Sequence, residues 1–417
     1  MSDTAPERVV SLDLIRGCAV LGILVINIPG FAGPTGATLS PHIPLPGTFA
    51  DELVYVVGLV LFEGKMRTLF TMLFGASMLL LIERADAAGR DGDVLQLRRL
   101  AWLLLFGCLH FFLFWWGDIL FSFALVGIIA LFMRELPVKV LLVTALLIFA
   151  GWHLGNAATS FPQVRAEERV RLGLATPAEM REEATFNAQI ASNAGRELTE
   201  YRAGFLEQVA TKLNKRPFWL VKMTWPNIGE TLPLMLIGMV LYRTGFFNGG
   251  WPRRRLRLLA ALGTASGLAL TLATLAWLWP RGFPPQAMSA ALLAWLAVPH
   301  LMMASGYAAM LVLATPRLAA TTVGRRLTAA GRMAFSNYLG TTLLMTAIFY
   351  GWGLGLVGTV GRLEQLGFVA LAWLLMLGWS KPWLARFRHG PLEWLWRSLS
   401  ERRFLLLRRN DIAIHSH

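Results

Sequence analysis

Apolar residues along this chain are grouped into long blocks and do not recur at the three-to-four-residue period of a soluble amphipathic helix. Each block has about twenty residues, the length of helix that crosses the hydrocarbon core of a bilayer. The pattern predicts an all-α fold, a polytopic transmembrane helical bundle of about ten spans. The predicted spans are residues 9–30, 66–82, 100–116, 119–133, 138–156, 225–247, 256–279, 288–314, 332–356 and 363–379.

The segments between the blocks divide the chain into four parts. Residues 1–157 form an N-terminal transmembrane bundle of five spans, with a helix at 49–62 that lies at the interface or re-enters the membrane. Glutamates and arginines alternate over 160–216, and Pro177 suits the first turn of a helix there. Residues 158–221 are therefore predicted as an extracytoplasmic charged helical excursion. A C-terminal bundle of five spans (222–380) and a basic amphipathic cytoplasmic tail (381–417) follow.

Lysine and arginine are concentrated in alternate short loops, which predicts the orientation of the bundle. The basic loops include Arg84, Arg134, Arg243 and Arg325, and the C-terminal tail is basic throughout. By the positive-inside rule these loops and both termini face the cytoplasm. The long charged excursion lies outside, because long loops translocate largely regardless of their charge.

The composition supports a membrane protein and excludes some partners. Only 15% of the 417 residues are charged and 55% are hydrophobic, whereas soluble proteins carry roughly 25% charged residues. The net charge of +14 is explained by arginines at the ends of spans, next to anionic headgroups, so no nucleic-acid partner is expected. Cys18 and Cys108 have no spacing typical of a disulfide or a zinc site, so no metal site is expected.

The first span carries a polar stripe. Asp13 and Arg16 are three residues apart and share one helix face. Asn27 lies eleven residues beyond Arg16, close to three turns, which places it on the same stripe about 16 Å further along. Ionisable residues inside a membrane are costly and mark function by default. A salt bridge between Asp13 and Arg16 at the end of the helix is the structural alternative.

Further polar residues near or within spans are candidates for the site. Lys65 and Arg67 begin a span, where cations oppose the helix dipole, so an anionic group such as Glu63, a lipid phosphate or a substrate is expected nearby. His110 lies near mid-helix and could act as a general base or join two helices by a hydrogen bond. Asp118 suits a helix cap or the same site, with the cap favoured. Glu230, Asn337 and Tyr338 complete the candidates.

Several motifs together identify the chain as a member of the YeiB-like family of bacterial membrane proteins, which has a C-terminal domain of unknown function. The match covers nearly the whole chain, and His110 belongs to it. The motifs are residues 11–17 (SLDLIRG), 21–28 (LGILVINI), 64–70 (GKMRTLF), 73–76 (LFGA), 117–120 (GDIL), 236–245 (LIGMVLYRTG), 331–338 (GRMAFSNY) and 390–397 (GPLEWLWR). The tail departs from the family pattern at residues 400–403 (SERR).

The resemblance carries two expectations about activity. Some members of the family have been described as transporters. The family is also similar, mainly through its first helix, to membrane acyltransferases such as heparan-α-glucosaminide N-acetyltransferase and the bacterial O-acetylases. Those proteins pass an acyl group from cytosolic acyl-CoA to an acceptor across the membrane. In the O-acetylase pattern an arginine is followed eleven residues later by a histidine; here Arg16 is followed by Asn27, so another residue would act as base.

The leading expectation is an acyl-CoA-dependent transferase in the bacterial inner membrane. The resemblance implies that Arg16 meets the anionic part of acyl-CoA while Asp13 orients it, with Lys65 and Arg67 as further candidates for that contact. The expected base is His110, or less readily His42 in the outer loop. The expected catalytic residues are His110, Asn27 and Asp118. The expected binding residues are Asp13, Arg16, Glu63, Lys65, Arg67, Glu230, Asn337 and Tyr338.

Two other functions remain open on the sequence. One is a transporter or exporter of a small anionic or lipid-like solute, and the other is a non-catalytic scaffold of the envelope. No permanently bound cofactor is expected, and acyl-CoA would be a co-substrate. The expected partners are the lipid bilayer and a small-molecule, lipid or glycan acceptor, and the sequence admits a homodimer without requiring one.

Overall fold

The computed structural model describes residues 9–409 as helices and connecting loops, with one isolated bridge between Phe387 and Arg408 and no strand in that part of the chain. The prediction of an all-α bundle is confirmed. The first nine helices are α1 (Val10–Ala32), α2 (Phe49–Leu61), α3 (Lys65–Ala87), α4 (Gly92–Leu113), α5 (Leu120–Met133), α6 (Val138–Arg171), α7 (Pro177–Arg202), α8 (Phe205–Lys215) and α9 (Trp219–Arg243).

The remaining helices complete the bundle. A π-helical turn, Leu259–Gly263, joins α10 (Arg253–Leu258) to α11 (Thr264–Leu278), and another, Ala291–Trp295, follows α12 (Pro285–Ala290). The last five helices are α13 (Ala297–Leu318), α14 (Thr322–Arg332), α15 (Ala334–Phe349), α16 (Arg362–Arg386) and α17 (Pro391–Glu401).

Within residues 9–409, seven helical segments are long and apolar enough to cross a bilayer, so the chain is a multi-pass membrane protein. They are Val10–Ala32, Phe49–Ala87, Gly92–Leu113, Val138–Arg171, Arg253–Arg281, Ala297–Leu318 and Arg362–Arg386. The other three predicted spans correspond to α5, α9 and α15. Of these, α5 and α15 have only 14 and 16 residues, and α9 contains Lys222, Asn227 and Glu230.

The ends of several helices differ from the predicted spans. The helix predicted at 138–156 continues without a break to Arg171, so its 34 residues are about 51 Å long and extend beyond a bilayer core of about 30 Å. Next, α7 begins at Pro177 as predicted, because Thr176 and Glu179 form a capping box.

Two predicted elements near the site are wrong in detail. The span predicted at 332–356 is present as α15, but it begins at Ala334, after a break in the helical backbone at Met333, and it ends earlier than predicted, at Phe349. The turn predicted at 117–118 is a non-helical segment over 114–119. Apolar blocks locate a helix but do not mark its ends, which capping groups and loop contacts decide.

One hydrophobic core runs through helices from both halves of the chain. The helices α3 and α9 approach most closely at two glycines. A Cβ atom at Gly75 would lie 2.1 Å from the Met235 carbonyl oxygen, and one at Gly238 would lie 1.9 Å from that of Met72. Small residues at helix crossings let backbones pack closely in membranes, where van der Waals contact is a main source of association.

The helix ends define two sides of the bundle. At the basic end, Arg134 in the α5–α6 loop binds Asp93 at the start of α4, and Arg243 at the end of α9 donates to the Leu136 carbonyl at 2.8 Å. At the opposite end, Glu197 of α7 accepts from Thr35 in the loop after α1.

The orientation remains a prediction, which cysteine labelling will test. In a background with Cys18 and Cys108 replaced by alanine, we expect Ser192→Cys on exposed α7 to react with a membrane-impermeant maleimide in intact spheroplasts. Ala88→Cys, at the basic end, should react only after permeabilisation, because arginine-rich loops face the cytoplasm. Both positions are exposed in the fold. The reverse labelling pattern would contradict the predicted orientation.

Candidate functional site

A cavity of about 530 Å³ opens at the basic end of the bundle. Its lining along α3 extends from Arg84 to Phe70, fourteen residues or about 21 Å of helix, so the cavity reaches well into the membrane-spanning part. Its lining includes more arginines than carboxylates. These are Arg16, Arg84, Arg90, Arg99, Arg332, Arg388 and Arg397, against Asp13, Glu393 and Glu401. The volume and the excess of positive charge suit an anionic ligand of metabolite size.

Asp13 and Arg16 line this cavity from α1. Arg16 Nη1 donates to Asp13 Oδ1 at 3.0 Å, and Nη2 donates to Ser77 Oγ of α3 at 2.7 Å. The predicted proximity of the two charges on one helix face is present. Close packing holds them in place, because a Cβ atom at Gly331 of α14 would lie 1.9 Å from the Asp13 carbonyl oxygen. The pair therefore forms part of a cavity wall inside the bundle.

The C-terminal tail supplies another wall of the cavity through α17. The Glu393 carboxylate accepts the backbone N–H groups of Phe335 and Ser336, at 2.8 and 3.0 Å, where α15 begins. Burial raises the pKa of Glu393, and these hydrogen bonds oppose part of that rise. Trp396 Nε1 donates to the Arg99 carbonyl at 2.8 Å, and the Arg99 guanidinium lies 3.9 Å from the centre of the Trp396 ring. The tail is thus docked against α4 and the start of α15 at the basic end of the bundle.

His110 and Asp118 form a buried pair. Nδ1 of His110 lies 2.7 Å from Asp118 Oδ2, and the side chains are 1% and 0% exposed. The other carboxylate oxygen, Oδ1, accepts the Phe121 N–H at 2.8 Å in the first turn of α5. Asp118 therefore acts as a helix cap and as the partner of His110 with different oxygens. The predicted cap is confirmed, and a catalytic role for Asp118 stays a prediction.

The contacts of His110 assign its tautomer. A carboxylate only accepts hydrogen bonds, so the Nδ1 atom carries the proton and donates to Asp118. In this tautomer the Nε2 atom is unprotonated and lies 3.0 Å from the hydroxyl of Thr342 on α15, which also lies 3.3 Å from the Tyr338 carbonyl oxygen. This arrangement is typical of a general base, in which a carboxylate orients the imidazole and directs the free lone pair away from itself.

His110 lies directly behind the inner wall of the cavity. The Tyr338 ring lines the cavity, and its centre is 5.3 Å from that of the His110 ring. The Tyr338 hydroxyl donates to the Gly117 carbonyl at 3.4 Å, beside Asp118. Tyr338 thus lies both in the cavity lining and against the His110 ring.

Helix α8 covers the same region from the opposite end. The Lys212 ammonium donates to the carbonyls of Phe111 and Phe114 at the end of α4, both at 3.1 Å. Lys212 is 1% exposed, and this burial lowers its pKa to about 8. Trp115 and Trp116 close the loop by donating to the Gly30 carbonyl, each at 3.2 Å. The charged segment is therefore packed against the end of the helix that carries His110.

Comparisons with known proteins place these features in a family. A family model described as a protein of unknown function (DUF418) matches residues 241–403. The chain is 31% identical over 415 residues to the uncharacterized protein YeiB of Escherichia coli, covering 95% of this chain and 97% of that protein. This chain belongs to the YeiB-like family. It is 28% identical over 412 residues to the uncharacterized protein YxaH of Bacillus subtilis, with 94% of each chain covered. No solved structure matches it.

The family match divides the cavity between two parts of the sequence. The matched region contains Tyr338, Glu393 and Arg397. The residues Arg16 and His110 lie before that region but within the full-length similarity to YeiB. A complete cavity therefore requires both halves of this YeiB-like chain.

Four predicted site residues form a separate cluster outside the cavity lining. Arg67 Nη2 donates to the Glu230 carboxylate at 2.9 Å, and Lys65, which is 0% exposed, donates to the Leu59 carbonyl at 2.6 Å. Glu63 lies at the α2–α3 junction beside them. The His300 ring packs on Gly64, where φ is +71° and a Cβ atom would lie 1.8 Å from Nδ1. These residues are near the opposite end, so they do not join Arg16.

Three further candidates also lie away from the cavity. The Asn337 amide nitrogen donates to the Ala330 carbonyl and to Ser380 Oγ, both at 3.1 Å, and its oxygen accepts from Trp379 Nε1 at 2.8 Å. The amide is therefore hydrogen-bonded to neighbouring helices at both its nitrogen and its oxygen. Asn27 is half-buried further along α1 and does not line the cavity. His42 lies 3.3 Å from Glu52 in the loop at the opposite end.

Sequence patterns missed several residues of the cavity lining and of the surroundings of His110. Ser77 and Thr342 are uncharged and resemble ordinary residues of apolar helices. Thr342 follows Tyr338 by four residues, and this spacing is the local signal that the two side chains lie on the same face of one helix. The positive-inside rule by itself accounts for the arginines at the mouth of the cavity, including Arg90 and Arg397, so no sequence pattern marks them as binding residues.

Replacement of Asp118 will test its double role. We expect Asp118→Ala to destabilise the protein by about 2–4 kcal/mol, because it leaves the His110 N–H buried without an acceptor and removes the cap of α5. Asp118→Asn retains an oxygen for the cap and should cost less. Thermal unfolding in detergent measures both. Equal melting temperatures for wild type and Asp118→Ala would refute the role.

Lys212 predicts a pH dependence of stability. Its folded pKa is about 8, below its ordinary value of about 10.4, so folding releases a proton between these pH values. Stability should therefore rise between about pH 8 and pH 10, by up to about 3 kcal/mol, and stay unaffected by this group below pH 8. The free energies of unfolding of wild type and Lys212→Met, measured from below pH 8 up to about pH 10, should change in parallel with pH below about pH 8 and diverge above it, with the wild type gaining stability. A parallel dependence in both proteins would exclude the effect.

Proposed function

We propose that this YeiB-like protein is an inner-membrane acyltransferase that moves an acyl group from cytosolic acyl-CoA to an acceptor on the outer side. The observation that carries the proposal is the arginine-lined cavity whose inner wall, Tyr338, is backed by His110 and Asp118. The positive-inside rule assigns the mouth of this cavity to the cytoplasm, where acyl-CoA is available.

The polarity of the cavity suits the parts of a coenzyme A thioester. Arg90, Arg388 and Arg397 are exposed at the mouth and would bind the phosphate groups through charge-assisted hydrogen bonds. Arg16 and Ser77, which meet further along the wall, would bind the amide groups of the pantetheine arm. The arm would then bring the thioester to Tyr338.

The buried pair supports the transfer step. His110 Nε2 takes the proton of an acceptor hydroxyl or amine, and the acceptor atom attacks the thioester carbonyl carbon. The carbon–sulfur bond then breaks, and the coenzyme A thiolate leaves with the proton from His110. Asp118 holds the imidazole and stabilises its charged form. The Thr342 hydroxyl, now 3.0 Å from Nε2, occupies the position that the acceptor group would take.

A second candidate function is transport of a small anionic or lipid-like solute. One observation favours it: Arg67, paired with Glu230, lies one helical turn beyond Phe70 at the inner limit of the cavity on α3. A path that joined the cavity to this pair would cross most of the membrane. The arginines would then attract the solute without a reaction.

The first experiment measures binding of coenzyme A and acetyl-CoA to the protein in nanodiscs. We expect saturable binding that Arg16→Gln weakens at least about tenfold, since hydrogen bonds to charged groups contribute about 1.5–3 kcal/mol. Arg254→Gln is the matched control, because Arg254 is exposed at the same end and does not line the cavity.

Acyl transfer should fall at least about a thousandfold in His110→Ala.

The outcomes separate the two functions. A well-folded protein that binds no coenzyme A compound at millimolar concentration would exclude the transferase. Binding without transfer to any envelope acceptor, together with solute flux across proteoliposomes that Arg67→Gln abolishes, would favour transport.

A further inference from the structure

The cavity changes from charged to apolar along its length. On α1 the charged lining residues are Asp13 and Arg16, and Arg16 contacts Ser77 on α3. The lining residues beyond Ser77 on α3 are Phe70 and Phe74, and α5 adds Phe123. Charge at one end and an apolar wall at the other suit a ligand with an anionic head and an apolar tail.

The apolar part is too long for an acetyl group. Seven residues separate Ser77 from Phe70, or about 10 Å of helix. A carbon–carbon bond is about 1.5 Å long, so a two-carbon acyl group fills only a small part of this length, whereas roughly six to ten carbons fill it.

Aromatic rings form the inner wall of this part. The centre of the Phe123 ring lies 5.3 Å from that of Phe74 and 6.0 Å from that of Phe70. Leu103 and Leu120 complete the apolar surface. Burial of methylene groups against such a wall is favourable, whereas a polar group there would lose its hydrogen bonds to water without replacement.

We propose that the acyl donor is a fatty acyl-CoA of medium or greater chain length, with its chain held between Phe70, Phe74 and Phe123. This inference rests on the proposed function and names its donor. The thioester lies at Tyr338, the coenzyme head lies among the arginines, and the tail lies along the wall formed by α3 and α5. The size of Phe123 limits the length of chain that is accepted.

Binding of a chain-length series to the wild-type protein in nanodiscs tests the donor class. The ligands are coenzyme A, acetyl-CoA, octanoyl-CoA and dodecanoyl-CoA, with octanoate as a control without the coenzyme. Each buried methylene contributes a factor of about three to four in affinity, so octanoyl-CoA should bind at least about fiftyfold more tightly than acetyl-CoA. Empty nanodiscs supply the correction for partition into lipid.

A variant pair on α5 tests the site itself. Phe123→Ala enlarges the inner end, and we expect it to raise the affinity for dodecanoyl-CoA relative to octanoyl-CoA at least about fivefold, since it makes room for further methylenes. Ile129→Ala on the exposed side of α5 is the matched control and should leave the ratio unchanged. Unaltered binding of coenzyme A verifies the fold of each variant. If Phe123→Ala fails to fold, Phe123→Leu replaces it.

Each outcome supports or overturns the inference. The expected preference for octanoyl-CoA, with the shift in Phe123→Ala, supports it. Equal affinity for acetyl-CoA and octanoyl-CoA overturns it and leaves the proposed transferase intact. Absence of binding by all four coenzyme A compounds overturns the transferase as well. Octanoate binding as tight as octanoyl-CoA would assign the cavity to a free lipid and overturn both.

Discussion

The Asp118 carboxylate joins the end of α4 to the start of α5, because one oxygen binds His110 and the other binds the Phe121 N–H. A carboxylate that is fully buried within a membrane protein must have such partners, since an unpaired charge there costs several kcal/mol. This requirement fixes the loop between the two helices. The position of His110 behind Tyr338, and hence the relation of the buried pair to the cavity, depends on it.

The cavity depends on a second constraint, the packing of arginines from distant parts of the chain. Their mutual repulsion is reduced by a carboxylate of the tail, since Glu401 binds Arg90 at 3.2 Å. A second tail carboxylate, Glu393, holds α17 to the start of α15. The tail helix thereby closes one side of the cavity. Because arginines still exceed carboxylates in the lining, an anionic ligand would complete the charge balance.

Several features could be predicted because they depend on short stretches of sequence. The proximity of Asp13 and Arg16 follows from a three-residue spacing on one helix, and the start of α7 follows from Pro177 and its capping residues. The early end of α15 at Phe349 could not be predicted in this way, since apolar residues continue beyond it. The contacts of Asn337 with Ser380 and Trp379 could not be predicted either, because they join residues more than forty positions apart on two helices.

The sequence by itself determined that this is a multi-pass helical membrane protein of the YeiB-like family, because block length, charge distribution and motifs are local properties. Only the tertiary structure decided which polar residues meet. It brought His110 to Thr342, 232 residues away, and Arg99 to Trp396 of the tail. It also separated Lys65 and Arg67 from Arg16. Such contacts depend on how each helix is rotated about its axis and which neighbour it packs against, and those are set by the bundle as a whole.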